Sequence, residues 1–142
     1  MDTEREILES CACHRVRTAA RAVTRAYDDA LRPIGLRATQ LSLLVATSAD
    51  DAVSISALAK VMGMDRSTLT RNLRPLESGG LIALSLEGWR RSRALRITKK
   101  GKLKLQEALP LWRNAQQKLR RKLGDRRWYS LHNDLKHLID AD

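Results

Sequence analysis

Three residues near the start of the chain, Cys11, Cys13 and His14, could bind a metal ion or take part in thiol redox chemistry. They lie in the segment ESCACHRVRTAAR, and Cys11 and Cys13 are the only cysteines of the chain. Thiolates and imidazoles are ligands that zinc prefers, and a thiolate is also the group that peroxides oxidise. What the cluster can do depends on the secondary structure that positions these side chains.

Residues 4–31 are predicted to form one long helix, which Pro33 and Gly35 end. The helix carries one apolar stripe at helical spacing, formed by Val16, Ala20, Val23, Tyr27 and Leu31. At about 100° per residue, Cys13 lies near this stripe, whereas Cys11 points about 200° away from Cys13. The two thiols are therefore expected to face different surroundings.

This arrangement disfavours a metal site. Thiolates that point apart do not converge on one ion, and Cys11 with His14 supplies only two of the four ligands of a closed zinc site. A disulfide between Cys11 and Cys13 within the helix is disfavoured for the same reason. Cys13 is then either a small hydrophobic residue of an apolar seam or a reactive thiol.

The composition predicts one basic, mainly helical domain. The chain has 142 residues, of which 43% are hydrophobic and only 4% aromatic, so a core of aliphatic residues in packed helices is expected. The net charge is +11, and residues 60–104 alone carry 12 Lys and Arg against three Asp and Glu. Nucleic acid is the usual partner of such a basic segment.

Neither a signal peptide nor a membrane-spanning segment is expected. The opening MDTEREILES is polar and acidic, and the longest apolar run, LSLLVA, is far too short to span a membrane. Two cysteines with one residue between them do not form a disulfide framework. We therefore expect a cytoplasmic protein with reduced thiols and no membrane partner.

The basic segment has the pattern of a winged helix-turn-helix. A helix of residues 38–47 comes first, with Leu41, Leu44 and Val45 predicted to point inward. Ser54 is then expected to cap a short helix that Gly63 ends, and Asp65 to cap the helix of residues 66–78.

A basic hairpin follows this pair of helices. Ile82, Leu84 and Leu86 alternate as a strand, EGWRRSR forms the turn, and Leu95 and Ile97 alternate as the returning strand. Thr98 is expected to cap a helix that Pro110 kinks and Gly124 ends, and Asp125 to cap a last helix. The predicted fold class is mainly α with a small β-hairpin wing.

Residues 66–78 are predicted to read DNA, because Leu69, Leu73 and Leu76 form a buried stripe and polar residues face away from it. The DNA-binding residues predicted on this helix are Arg66, Ser67, Thr68, Thr70, Arg71 and Arg74. Those predicted on the wing are Arg90, Arg91 and Arg93. Arginine can chelate guanine in the major groove, and arginines at a wing tip suit phosphate contacts or a narrow minor groove.

The run LAKVMGMDRSTLTRNLRPLE, followed by GLI, an arginine-rich wing and ITKKG, resembles the core of the MarR family of bacterial transcriptional regulators. The resemblance implies a homodimer on palindromic double-stranded DNA. It divides the chain into a dimerisation helix (1–36), a winged domain (37–98) and C-terminal dimerisation helices (99–142). The apolar faces of the first and last helices also favour self-association. Trp89 stands where the family wing usually carries an Asp.

The resemblance also implies two ways of switching DNA binding, and neither requires a cofactor. CHRVRTAAR is similar to the first helix of the family's organic-hydroperoxide sensors, in which Cys13 would react and Tyr27 of the other subunit would bind it. Other members bind a small phenolic or carboxylate ligand, for which His14, Arg17 and Arg21 form a candidate basic face that solvent alone would also explain. The inducer, the operator and the sign of regulation stay open.

Two other classes of function are alternatives to a specific regulator. A non-specific architectural nucleic-acid-binding protein needs only positive charge and no organised reading face. An enzyme is not expected, because the chain has no phosphate-binding glycine loop and no recognisable catalytic triad or carboxylate pair.

Overall fold

Helices dominate the fold, and a small sheet follows the central pair of them. The computed structural model describes residues 3–50, 52–87 and 92–140, and of residues 86, 87, 92 and 93 it describes only the backbone. The helices are α1 (Thr3–Ser10), α2 (Ala12–Leu31), α3 (Ala38–Ser48), α4 (Ile55–Met62), α5 (Arg66–Ser78), α6 (Lys99–Leu123) and α7 (Asp125–Asp140). The strands are β1 (Val53–Ser54), β2 (Ile82–Glu87) and β3 (Ser92–Ile97). The predicted fold class is confirmed.

The prediction of one unbroken helix from residue 4 to residue 31 is wrong, because the helix breaks at Cys11. The backbone of Cys11 is extended, with φ −66° and ψ 116°. Arg15 stabilises the break by donating from Nε and Nη2 to the carbonyl oxygen of Glu9, at 3.1 and 2.6 Å. Cys11 and Cys13 are therefore not two positions of one continuous helix, and the predicted angle of about 200° between them does not apply.

The core lies among α3, the two helices of the helix-turn-helix, the sheet and one face of α6. Its largest fully buried side chains are Leu31, Leu43, Leu44, Leu58, Leu69, Leu76, Leu95 and Thr47. In α3, Leu41 and Leu44 point inward as predicted, but Val45 is 50% exposed and Leu43 is buried instead. The Thr47 hydroxyl donates to the carbonyl of Leu43 at 2.7 Å, which satisfies its burial.

The helix-turn-helix forms through the predicted caps. The Ser54 hydroxyl accepts from the amide of Ala57 at 3.1 Å at the start of α4. Gly63 ends α4 in the left-handed conformation, with φ 63°. The Asp65 carboxylate then accepts from the amide of Thr68 at 2.7 Å and begins α5.

The sheet has one strand more than the sequence predicted. Its order is β1-β3-β2, and all pairs are antiparallel. Leu84 of β2 lies opposite Leu95 of β3, and Val53 of β1 flanks Leu95 on the other side. A two-residue strand shows no alternation in the sequence, so β1 is recognisable only through its partner.

The two C-terminal helices meet at Gly124, whose φ of 81° ends α6. Asp125 was predicted to cap α7 but lies inside its first turn, where its carboxylate pairs with Nε of Arg120 at 2.8 Å. The Nη2 atom of Arg120 donates to the hydroxyl of Tyr129 at 2.9 Å, so the Arg120 side chain of α6 binds two residues of α7. No residue of α1 or α7 is buried. Within the described part of the chain, no helix is long and apolar enough to cross a membrane.

Candidate nucleic-acid interface

Helix α5 has one face in the core and the opposite face in solvent. Leu69, Leu73 and Leu76 are 0%, 4% and 1% exposed, so they fix the rotation of the helix about its axis. The predicted reading residues lie on the other side. Arg66, Ser67, Arg71 and Arg74 are exposed, and Thr68 and Thr70 are half-buried at the edges of that face.

A shallow, open depression of 550 Å³ lies on the outer face of α5, and Arg66, Ser67, Thr70, Arg71 and Arg74 line it. Thr70 donates its hydroxyl proton to the carbonyl of Arg66 at 2.8 Å, so toward any other group its hydroxyl can act only as an acceptor. Nη2 of Arg71 lies 3.5 Å from the hydroxyl of Thr68, a long contact that leaves the guanidinium available to another acceptor. This face can donate to base edges and phosphates without breaking a strong internal bond.

Asp65 supplies the one acidic group at the start of α5. The backbone hydrogen bond from Thr68 holds the pKa of the Asp65 carboxyl below its ordinary value, and the side-chain hydrogen bond of Thr68 and the charge of Arg71 act in the same direction. The carboxylate is therefore ionised at neutral pH. It stabilises the helix start, where the backbone dipole favours a negative charge.

The tip of the wing lies outside the described residues, and with it the predicted contacts of Arg90 and Arg91 and the position of Trp89. The backbone of Arg93 lies in β3 opposite Leu86, but its side chain is not described. The contribution of the wing arginines to DNA binding therefore stays a prediction.

The candidate sensor residues lie along α2 and do not come together within one chain. Cys13, His14, Arg17 and Arg21 are exposed, and Cys11 at the helix break is half-buried. Both thiols are free. Tyr27 lies 14 residues after Cys13 on the same helix, about 21 Å away at 1.5 Å per residue. In the part of the chain that the structure describes, no three His, Cys, Asp or Glu side chains could hold a metal ion.

Tyr27 is instead bound to the neighbouring helix. Its hydroxyl donates to Oε1 of Gln116 in α6. Burial raises the pKa of the Tyr27 phenol above its ordinary value. Both observations keep the phenol protonated and joined to α6.

The sequence reading missed an apolar cleft between α6 and the helices of the winged domain. Its volume is 610 Å³, and Leu41, Ser42, Val45, Ala46, Ala49, Val61, Met62, Leu109 and Trp112 line it. Val45 and Val61 at its edge are 50% and 75% exposed. Val61 was the signal in the sequence that could have indicated the cleft, because it is apolar and does not belong to the buried side of α4 that Leu58 and Ala59 form. Val45 was predicted to point inward and gave no such signal.

Comparison with known proteins agrees with this geometry. Residues 36–85 match the family model described as a helix-turn-helix domain. The chain is 39% identical to the transcriptional regulator MosR of Mycobacterium tuberculosis in its complex with DNA, with a TM-score of 0.84, and the match covers 91% of this chain and 93% of that one. The chain belongs to the MarR family of transcriptional regulators.

Two more distant structures share the fold of this MarR-family regulator. A mutant of MarR from E. coli, complexed with operator DNA, is 22% identical with a TM-score of 0.82 over 93% of this chain and 96% of that one. The repressor CouR bound to p-coumaroyl-CoA is 23% identical with a TM-score of 0.86 over 96% of each chain. No curated protein sequence matches significantly.

Family membership settles the class of function. The protein is a DNA-binding transcriptional regulator of the MarR type, not an enzyme. The DNA contacts of the residues on the exposed face of α5 stay a prediction.

Proposed function

We propose that this MarR-family regulator is a homodimeric repressor that binds a palindromic operator and leaves it when a thiol is oxidised or a small ligand binds. The observation that carries the proposal is a set of apolar side chains on α2 and α7 that the described part of the chain leaves exposed. On α2 these are Val16 and Val23, and on α7 they are Leu131, Leu135, Leu138 and Ile139.

These faces favour pairing between two copies of the chain. Helix α1 has eight residues and no buried side chain, although Ile7 and Leu8 are apolar and 56% and 61% exposed. Helices this short are unstable in water without packing. A two-fold dimer would cover α1, α2 and α7 and place two copies of α5 about one DNA turn apart. Residues 1–36 and 99–142 then form the dimerisation part and 37–98 the DNA-binding part.

Selection of DNA from a random pool tests the function directly. We expect a palindromic consensus with two half-sites, bound by a dimer in sedimentation. Arg71→Ala should weaken binding to the consensus by about 1–3 kcal/mol and relax the preference at one base position in each half-site. Arg113→Ala removes an equal charge from an exposed position on α6 and should change binding much less. A pool without any consensus would rule out sequence-specific repression.

The redox route is supported by the accessibility of Cys13 and by the break beside it. Cys13 is exposed in the first turn of α2 of the single chain, so a hydroperoxide can reach its sulfur where the partner subunit leaves that turn uncovered. Cys11 lies at a joint where the backbone is not helical, so the two thiols are no longer held apart by helix geometry. Oxidation here would act on the part of α2 that the proposed dimer covers.

The ligand route is supported by the 610 Å³ cleft between α6 and the winged domain. A compound in this cleft would contact a dimerisation helix and the helix-turn-helix at once, so it could change their relative position. CouR, which shares the fold, has been crystallised with p-coumaroyl-CoA. His14, Arg17 and Arg21 on α2, the predicted partners of a ligand carboxylate, do not line this cleft, so a ligand that they bind would occupy a different site.

Operator release separates the two routes. Wild type, Cys11→Ser and Cys13→Ser should be titrated with cumene hydroperoxide on the selected operator. Loss of release only in Cys13→Ser would identify Cys13 as the switch. Release in both variants would show that neither cysteine by itself is required for release. For the ligand route, Val45→Trp should fill the cleft and abolish release by phenolic compounds, while peroxide release persists.

A further inference from the structure

The end of the recognition helix α5 is bound to the start of the dimerisation helix α6 by a row of hydrogen bonds. Nζ of Lys100 donates to the carbonyl of Gly79 at 2.8 Å. The Thr98 hydroxyl donates to the carbonyl of Gly80 at 2.6 Å, and the Thr98 amide donates to the carbonyl of Leu81 at 3.0 Å. Three successive carbonyls of the turn after α5 are thus each bound by a residue at the start of α6.

At Gly101 the first turn of α6 comes close to the turn after α5. A Cβ atom at Gly101 would lie 2.1 Å from the carbonyl oxygen of Leu81 and 2.7 Å from Cγ1 of Ile97. The amide of Gly101 also donates to the Thr98 hydroxyl at 3.0 Å. The first turn of α6 therefore lies directly against the backbone of the turn, with no side chain between them.

The bonds from α6 are not needed to terminate α5. The amide of Gly79 already donates to the carbonyl of Pro75, and the amide of Leu81 to the carbonyl of Leu76, both at 2.9 Å. These bonds end the helix within its own segment. The additional bonds from Thr98 and Lys100 fix the orientation of α6 relative to α5.

A small change in the orientation of α6 relative to α5 moves the far end of α6 by several ångströms. Helix α6 has 25 residues and is therefore about 37 Å long. A rotation of about 10° at its first turn moves its far end by about 6 Å, which exceeds the rise of about 3.4 Å per base pair of DNA. In a dimer paired through α2 and α7, the angle at this joint sets the distance between the two recognition helices.

We propose that Thr98, Lys100 and Gly101 are positioning residues that select the spacing between operator half-sites. They touch the turn after α5 and act on DNA through the placement of α5. This inference rests on the proposed dimeric function. It concerns the spacing between half-sites, which the residues on the face of α5 do not determine by themselves.

The experiment measures the affinity of each variant for a series of operators in which the two selected half-sites are moved closer together or further apart by one or two base pairs. The affinity for DNA with a single half-site is measured as well. The main variant is Lys100→Met, which keeps the aliphatic stem and removes the donor to Gly79. Lys102→Met removes the same charge from an exposed neighbour and is the matched control. Thr98→Val removes the hydroxyl, and Thr98→Ser keeps it.

Lys100→Met should lose about five-fold in affinity at the preferred spacing, the value of one net hydrogen bond. Thr98→Val should lose at least as much, because the Thr98 hydroxyl makes two hydrogen bonds, to Gly80 and from Gly101. At altered spacings and on the single half-site they should bind like wild type, so that their spacing profile is flatter. Lys102→Met and Thr98→Ser should keep the wild-type profile.

A spacing profile that Lys100→Met and Thr98→Val both leave unchanged would overturn the inference. Equal loss at every spacing and on the single half-site would also overturn it, because a merely structural role predicts that result. A wild-type protein without any preferred spacing would instead contradict the proposed function. Circular dichroism of each variant confirms that it is folded at the temperature of the assay.

Discussion

The carboxylate of Asp28 in α2 accepts a hydrogen bond from the backbone amide of Ala38, the first residue of α3, at 2.7 Å. The two residues belong to different predicted parts of the protein, the dimerisation helix and the winged domain. An acidic side chain at a helix start satisfies a free amide and interacts favourably with the helix dipole. Asp28 thus acts as a capping residue from another helix.

Asp28→Ala should therefore lower the free energy of unfolding by about 1 kcal/mol, the usual cost of losing a cap. Asp28→Asn keeps an acceptor oxygen and should cost less than half as much. Urea unfolding, monitored by circular dichroism at equal protein concentrations, measures both. Equal losses in the two variants would show that charge, not capping, is what Asp28 contributes.

The start of the recognition helix should weaken in acid. The pKa of Asp65 is lowered in the folded protein by the hydrogen bond from Thr68, so its carboxylate adds stability above its ordinary pKa of 3.8. This contribution is lost as the pH falls below 3.8 and through the folded pKa. Asp65→Asn keeps the acceptor without the charge. The stability difference between wild type and variant should be constant from pH 7 to 5 and shrink toward pH 3.

Urea unfolding at each pH gives that difference directly, and Asp134→Asn on α7 serves as a control for the loss of one exposed carboxylate. A difference between wild type and Asp65→Asn that varies between pH 7 and pH 5 would contradict the assigned direction of the shift.

Three of the four predicted side-chain caps formed, and they were predictable because each involves a side chain and a backbone amide three residues apart. Ser54, Asp65 and Thr98 each accept from the amide that the sequence indicated. The exposed face of α5 was predictable for a similar reason, because the leucine stripe fixes which residues point away from the core. Both predictions depend only on the spacing of residues that are close together in the sequence.

Other features depend on contacts that local spacing does not show. The break at Cys11 contains neither proline nor glycine, and Arg15 stabilises it from six residues beyond the carbonyl that it binds. Strand β1 exists through its pairing with β3, whose partner residues lie 40 and 42 residues further along the chain. The burial of Leu43 instead of Val45 depends on which neighbours α3 meets, and a helix with apolar residues on several sides does not reveal that choice.

Gly101→Ala should destabilise the protein although alanine is the better helix former. The gain in helix propensity is about 1 kcal/mol. The new Cβ would lie 2.1 Å from the backbone oxygen of Leu81, so the helix or the turn must move. Overpacking of this kind costs about 1–3 kcal/mol, so the steric effect should prevail.

Thermal unfolding measures the outcome, with Gln117→Ala at an exposed position of α6 as the control. That control should stay within about 0.5 kcal/mol of wild type. A Gly101→Ala variant as stable as wild type would mean that α6 does not lie against Leu81.

The Tyr27 hydroxyl should contribute to stability more than to the reactivity of Cys13. It has one proton, which it donates to Gln116, so toward any other group it can act only as an acceptor. A thiolate or sulfenate needs a donor. Tyr27→Phe should therefore cost about 0.5–1.5 kcal/mol of stability and leave the rate of Cys13 alkylation unchanged in a Cys11→Ser background.

Tyr129→Phe is the matched control, because the Tyr129 hydroxyl is exposed and accepts from Arg120. The rates are measured with iodoacetamide at neutral pH, on the dimer. A several-fold slower alkylation in Tyr27→Phe, with Tyr129→Phe unchanged, would show that Tyr27 leaves Gln116 in the dimer and donates to the partner's thiolate. Equal rates in all three proteins would assign Tyr27 to the packing of α2 against α6.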